Sequence, residues 1–254
     1  MKLSIIVPTL NEAERIPALI DRLRREDPDS DILVIDGGST DGTVAMALKA
    51  GARAIRSARG RGQQLALGAE VAEGDVFLFL HADSRLAPGS LDALREAMAA
   101  PHVVGGNFRI LFDGNSPFDR WLTRFYAWFR RFGLYYGDSA IFVRRDALQR
   151  MGGLRPIALM EDYDLCRRLE RSGKTVCITE PPVTTSSRRF EGRWPPRIVT
   201  GWLLIHLLYY LGVSPDVLAR LYRSERRTGK TGKRPQRNAL SRTPSASENV
   251  HGDT

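Results

Sequence analysis

The sequence predicts an α/β protein with a mostly parallel sheet and helices on both faces. Three observations carry this. Short continuous apolar runs recur at residues 3–7, 32–35 and 76–80. Between them lie stretches with helical spacing, such as residues 13–25, where Ile16, Leu19, Ile20 and Leu23 share one face. Strand–helix–strand alternation at this pitch gives parallel strands joined by right-handed crossovers, and strands without polar alternation need cover on both sides.

Taken in order, the first strand is followed by the helix over 13–25 and the strand over 32–35. Residues 41–50 read as a helix stopped by Gly51, residues 52–57 as a weaker strand, and 63–72 as a helix. The run 76–80 is the most apolar strand. The helix over 90–100 repeats Leu91, Leu94 and Met98 at i, i+3 and i+7. Beyond residue 100 the pattern loosens. Strands are expected over 103–112, 139–143 and 175–178, and helices over 118–132 and 161–171, the latter ended by Ser172-Gly173.

Composition narrows the classes. At 254 residues and 43% hydrophobic content the chain can fill a core, which excludes wholesale disorder. Two cysteines, Cys166 and Cys177, exclude a disulfide scaffold and a four-cysteine zinc module, and reduced core thiols imply a cytoplasmic compartment. The net charge of +9 points to an anionic partner. From Arg223 onward eight Lys and Arg face three acids, so more than half of that charge belongs to the last segment. The expected organisation is a catalytic unit over 1–190, a helical extension over 191–222 and a disordered basic tail over 223–254. The chain opens without the pattern of a secretory signal. The longest apolar run, 198–213, falls short of the roughly 20 residues that span a bilayer and contains His206, so a buried or interfacial helix is expected.

In open α/β sheets ligands lie beyond the carboxyl ends of the strands. There the chain places Pro8-Thr9-Leu10-Asn11-Glu12, Asp36-Gly37-Gly38-Ser39-Thr40-Asp41-Gly42, Arg59-Gly60-Arg61-Gly62 and His81-Ala82-Asp83. Asp36 can accept hydrogen bonds from a base or ribose, or the stretch can be a turn capped by Ser39 or Asp41. His81 and Asp83 lie on one side of the chain, where Asp83 suits Mg²⁺ or Mn²⁺ or, alternatively, caps a turn. Arg59 and Arg61 can hold a diphosphate or stand solvated. In Glu161-Asp162-Tyr163-Asp164 the acids suit a helix N-terminus, and Asp162 suits general base chemistry. No P-loop, His-Glu-x-x-His or Gly-x-Ser-x-Gly pattern competes.

Four stretches in this order resemble family 2 glycosyltransferases of the GT-A nucleotide-diphospho-sugar transferase fold: residues 4–12, 34–43, 77–83, and Gly152-Gly153 followed by 160–165. The His81-Ala82-Asp83-Ser84 variant and Gly60-Arg61-Gly62-Gln63-Gln64 are similar to a compact bacterial subgroup of the arsenosugar-biosynthesis type. The resemblance implies that Pro8, Thr9 and Glu12 line a nucleotide pocket and that Asp36 binds the base, usually uracil. It implies a divalent cation at Asp83, with His81 standing where the family has an Asp, and Asp162 as the catalytic base. Arg61 would assist the diphosphate. The implied reaction is inverting transfer from a nucleoside-diphosphate sugar to an acceptor hydroxyl. A nucleotidyltransferase and a catalytically silent nucleotide binder are the rival readings.

The segment around Trp121, Phe125, Trp128, Phe129 and Phe132 interleaves aromatics with Arg120, Arg124, Arg130 and Arg131. It either packs its aromatics on the core with the arginines reaching outward, or lies on anionic lipid together with 198–213 and the tail. Arg188-Arg189-Phe190 and Gly192-Arg193-Trp194 follow the last expected strand as a further stretch that could touch donor or acceptor.

Overall fold

The structure is a computed structural model that describes residues 1–187, 190 and 194–228, the side chains as far as Tyr222. The first half alternates as expected: β1 (Leu3–Thr9), α1 (Ile16–Glu26), β2 (Asp31–Asp36), α2 (Thr43–Lys49), β3 (Arg53–Arg56), α3 (Arg61–Val71) and β4 (Val76–Phe79). A two-residue strand β5 (Arg85–Leu86) and α4 (Ser90–Ala97) follow. The second half comprises β6 (Val103–Phe112), α5 (Pro117–Arg130), β7 (Phe142–Arg144), α6 (Arg145–Arg150), α7 (Glu161–Ser172) and β8 (Lys174–Thr185). Two helices close the described chain, α8 (Pro195–Tyr210) and α9 (Pro215–Thr228).

Among the described residues, eight strands join one sheet in the order β3-β2-β1-β4-β7-β6-β8-β5. The β1/β2, β1/β4, β2/β3 and β6/β8 pairs are parallel, whereas β7 runs antiparallel to both β4 and β6. Alternation along β1 separates two cores. Ile5 and Val7 face α1, α4 and α5 through Leu19, Leu23, Leu94 and Leu122. Ile6 faces α3, α6 and α7 through Leu65, Leu148, Leu165 and Leu169. Covering both faces is what allows β4 to be apolar throughout and β1 and β2 to be apolar along most of their length. Cys166 is buried and Cys177 half-buried, and neither is in a disulfide.

Several second-half elements differ from expectation, each for a local reason. β8 is much longer than residues 175–178, because Pro181 and Pro182 fall between two registers on β6, where the pairing is irregular and a ladder N–H is not needed. The strand expected over 139–143 becomes a 3₁₀ turn, Gly137–Ser139, followed by β7, with Ala140 at φ +50° between them. α9 continues to Thr228, past the expected tail boundary at 223, because Leu218 and Ala219 bury one face of an amphipathic helix that Pro215 opens. The rest of the proposed basic tail, and Arg188, Arg189, Glu191, Gly192 and Arg193, lie outside the described residues.

The 191–222 extension packs back onto the body: Ile198 and Trp202 against the first core, and Ile205 and Leu218 against Met160 and Tyr163 at the start of α7. Among the described residues no helix is long and apolar enough to cross a membrane.

Candidate active site

The carboxyl ends of the central strands open into a cavity of about 800 Å³. Pro8, Thr9 and Glu12 line it from the end of β1, Arg59 and Arg61 from the start of α3, and His81 and Asp83 from the turn after β4. Seven residues singled out in the sequence thus share one wall. Gln64, Asp138, Thr185 and Ser186 also line it, and none of these four was assigned a role in the site from sequence.

Gln64 shows why the rim holds its shape. It is buried, and its amide donates to the Thr9 carbonyl and the Ile35 carbonyl, both at 2.7 Å, tying the ends of β1 and β2. Asn11 links the same two loops, its Oδ1 accepting from the Thr40 N–H at 2.9 Å and its own N–H donating to Ser39 Oγ at 2.8 Å. Asp41 accepts from Thr43 and Ala13, and these hydrogen bonds, Thr43 foremost, hold its carboxyl below the usual range. The N-cap of α2 is Gly42, with neither Ser39 nor Asp41 in that place; Asp41 instead braces the loop from one residue before it, and Asp36 has a different environment.

Asp36 is 1% exposed. Its Oδ2 accepts from the N–H groups of Gly38 and Ser39, both at 3.0 Å, while its buried Oδ1 has no hydrogen-bond partner among the described residues. An orphaned buried carboxylate oxygen is costly unless a donor reaches it. Asp36 does not itself line the large cavity; it lies just behind Thr9, at the end of the neighbouring strand, where Gly37 N–H donates to the Thr9 carbonyl at 3.0 Å.

The most heavily charged part of the wall is a knot around Arg61. Its guanidinium pairs with Glu161, donates to Asp162 Oδ2 at 2.9 Å and lies 3.4 Å from His81 Nε2. Burial works against that charge, but Asp162 and Glu161 hold it firmly positive. Gly62 makes the knot possible: a Cβ there would fall 2.2 Å from the Ile157 carbonyl, so only glycine lets the start of α3 press against the loop before α7. Glu161 has a 2% exposed side chain, and burial pushes its pKa up despite Arg61. Asp164, the third acid of the cluster, belongs instead to Arg155 and Arg168 at 3.1 and 2.8 Å.

Asp162 sits in the first turn of α7, after Met160 at φ +68°, a left-handed conformation uncommon for a non-glycine residue. Its Oδ2 also accepts from the Gly137 N–H at 2.9 Å, and its Oδ1 from the Tyr163 N–H at 2.8 Å. A carboxylate offers about four lone-pair sites, so with Arg61 three are used and one remains on Oδ1. His81 turns its Nδ1 to Asp138 at 3.3 Å, and burial followed by Arg61 lowers its pKa, favouring neutral imidazole. Because Arg61 can only donate, Nε2 accepts and Nδ1 carries the proton, so both ring nitrogens face protein groups.

Asp83 is different. Among the described residues no hydrogen bond or ion pair engages its carboxylate, and it faces the cavity. No three His, Cys, Asp or Glu side chains among those residues form a ready metal cage. An open carboxylate next to a space for phosphate fits a hard cation that takes its remaining ligands from phosphate oxygens and water.

A second cavity of about 300 Å³ adjoins the first. It lies between α5, α7 and α8, and Asp162 and Arg61 form its polar corner. Phe125, Phe129, Trp202 and Ile205 make much of its wall. Inside it the Tyr136 hydroxyl lies 2.9 Å from His206 Nε2, and His206 Nδ1 donates to the Trp202 carbonyl at 2.8 Å. Burial raises the Tyr136 pKa, keeping the phenol protonated. Nothing in local sequence spacing marks these two residues as neighbours, since 70 positions separate them.

A parallel half-sheet with an acidic, basic and glycine-rich cavity at its carboxyl edge defines the class of GT-A nucleotide-diphospho-sugar transferases. The chain belongs to glycosyl transferase family 2, whose model matches residues 4–155. It is 39% identical over 110 residues to glycosyltransferase AglJ of Haloferax volcanii and 32% identical over 120 residues to an undecaprenyl-phosphate mannosyltransferase of Micrococcus luteus. These matches cover 41% and 43% of this chain but only 35% and 49% of those relatives. In fold it is similar to the mannosyltransferase PcManGT of Pyrobaculum calidifontis, solved with GDP-Man and Mn²⁺, at a TM-score of 0.64 and 20% identity over 89% of this chain and 69% of that one.

Proposed function

We propose that the chain transfers a sugar, with inversion, from a nucleoside-diphosphate sugar to an acceptor hydroxyl. The observation that carries this reading is the Asp162 carboxylate, which lies beside the donor-sized cavity through Arg61 and opens directly into a second cavity. A base placed between two ligand spaces can take a proton from one substrate while the other leaves. The donor nucleotide lies along Pro8, Thr9 and Glu12 with Arg59 near the diphosphate, while Arg61 lines the same wall held by Glu161 and Asp162, and the orphaned Oδ1 of Asp36, just behind Thr9, is the acceptor offered to a base N–H. Asp83 holds a divalent cation, which when bound neutralises charge on the leaving diphosphate. His81 orients Arg61 and Asp138 rather than ligating that cation, because its nitrogens already face those groups.

UDP is the first nucleotide to test, and GDP the second, given the ligand of the Pyrobaculum structure. In a thermal-shift series, UDP with Mn²⁺ is expected to raise Tm by several degrees at saturating concentration, since occupancy at about 100 Kd adds about 2.7 kcal/mol. Asp83→Asn should keep a smaller UDP shift and lose the further rise with Mn²⁺. No shift with any nucleoside diphosphate would sink the reading. Family membership supports sugar transfer over nucleotidyl transfer, and the silent-binder rival predicts nucleotide binding without turnover.

The reading also places the chain on a membrane face. Trp128 on α5 and Phe132 in the turn after it are 50% and 62% exposed, and Leu203, Leu204 and Leu207 on α8 and Leu211 just past its end are exposed. Arg120, Arg124 and Arg131 are exposed beside the α5 aromatics, whereas Arg130 turns inward to Asn107, Thr175 and Glu170. Aromatic side chains at the water boundary flanked by cations suit an anionic interface. Sedimentation with phosphatidylglycerol-containing vesicles should show binding that weakens with salt and falls in Trp128→Glu. Equal recovery with and without vesicles would remove the membrane from the account.

A further inference from the structure

We propose that the acceptor is a neutral alcohol with an apolar body, seated in the cavity between α5, α7 and α8 with its hydroxyl on Asp162. This rests on Asp162 being the base, as argued above. The cavity decides the chemistry of both ends of such a molecule.

The head is decided by charge. Among the described lining residues the charged side chains are Arg61 and Asp162. Arg61 is already committed, to Glu161, Asp162 and His81, so two carboxylates surround one guanidinium. A phosphate head at this corner would meet more negative charge than positive among the described lining residues, with no uncommitted cation among them to hold it. A hydroxyl meets what it needs: the one remaining acceptor site on Asp162 Oδ1. This separates the chain from its Micrococcus luteus relative, named for a phosphorylated lipid.

The body is decided by the walls. Phe125, Phe129, Leu159, Ile205 and Trp202 are apolar, and the polar pair Tyr136–His206 is satisfied within the protein. At about 300 Å³ the space takes on the order of ten heavy atoms, using about 30 Å³ for each water-sized unit. A longer chain leaves past Leu203 and Tyr210, which line the cavity and are 62% and 58% exposed on the apolar outer side of α8. The reaction then balances without a further reagent. The alcohol O–H proton passes to Asp162, the alcohol oxygen bonds to the anomeric carbon, and the bond from that carbon to the diphosphate oxygen breaks, its electron pair leaving with the nucleoside diphosphate.

Farnesol and farnesyl phosphate share one chain and differ only in the head, so they isolate the claim. Equilibrium dialysis of each, radiolabelled, against the full chain with UDP and Mn²⁺ should show saturable one-site binding of farnesol, at least tenfold tighter than farnesyl phosphate. Ile205→Trp fills the cavity and should weaken farnesol at least tenfold. Leu203→Glu, at an exposed position that folding tolerates, should do the same from the mouth and carries the test should Ile205→Trp not fold. Equal or tighter binding of farnesyl phosphate overturns the proposal, as does farnesol binding indifferent to both variants. The UDP thermal shift in the same samples reports separately on the donor reading: loss of that shift defeats the transferase account, whereas an intact shift with the wrong head preference defeats only the acceptor.

Discussion

Asp162→Asn is expected to lower sugar transfer by about 10²–10⁴-fold, the usual worth of a positioned general base, with nucleotide affinity close to wild type. The geometry explains the separation. Asp162 opens into the acceptor-side cavity and reaches the donor cavity only through Arg61, so removing its charge removes a proton acceptor and no described donor contact. An amide also cannot accept on both sides. Its oxygen can serve either Gly137 and Arg61 or Tyr163, which leaves at least one N–H without its acceptor. That orphaned donor costs about 1–3 kcal/mol, so a modest fall in Tm accompanies the kinetic loss. The decisive measurement is turnover at saturating donor alongside nucleotide binding on the same preparation. Turnover near wild type would take Asp162 out of the base role. A fall in nucleotide affinity matching the fall in turnover would make it a donor-site residue instead.

What could be read from sequence follows from how local each signal is. β1, β2 and β4 announce themselves because a strand buried on both faces is apolar at most positions, and Leu3, Ile32 and Val76 begin such runs. Their carboxyl ends then locate Thr9, Asp36 and His81 without further information, since the ligand edge of a parallel sheet is a topological consequence. The continuation of β8 past Ile178 escaped for the opposite reason: Pro181 and Pro182 are poor strand residues by local preference and are accommodated only by the irregular pairing with β6. Asp138 and His206 escaped because their roles exist only in three dimensions. Asp138 meets His81 across 57 positions of chain, and His206 reaches Tyr136 through a helix whose apolar composition by itself signals only burial or an interface. The aromatic segment of α5 illustrates a mixed outcome. Leu122 and, partly, Phe118 and Tyr126 pack on the core, while Trp121, Trp128 and Phe132 stay outside, and helical periodicity alone does not say which face a neighbouring helix will leave uncovered.

Arg61→Leu carries the largest expected effect on the fold. Breaking a buried ion pair by removing one partner costs about 3–5 kcal/mol, because the remaining charge stays desolvated. Here the remaining charge is Glu161, whose side chain is 2% exposed, with Asp162 beside it at 11%. Glu161 already has its pKa raised by burial with Arg61 in place, and without the guanidinium it must rise further. The sign of the pH dependence follows. A carboxyl whose folded pKa lies above its unfolded value binds more protons in the native state between the two. Its contribution is therefore fully present below the unfolded pKa and is lost as pH rises through the folded one. The Tm deficit of Arg61→Leu relative to wild type should thus be small in mild acid and grow towards neutral pH, to a size beyond the about 0–1 kcal/mol that losing an exposed salt bridge would give. Arg61→Leu combined with Glu161→Gln should recover much of the stability, since no ionised group is then stranded at position 161, yet transfer should stay low because Asp162 has lost the guanidinium that fixes its Oδ2. Thermal melts of the single and double variants from pH 5 to 8 read both effects. A deficit independent of pH, or a double variant no more stable than Arg61→Leu, would show that Glu161 is not the group that Arg61 neutralises.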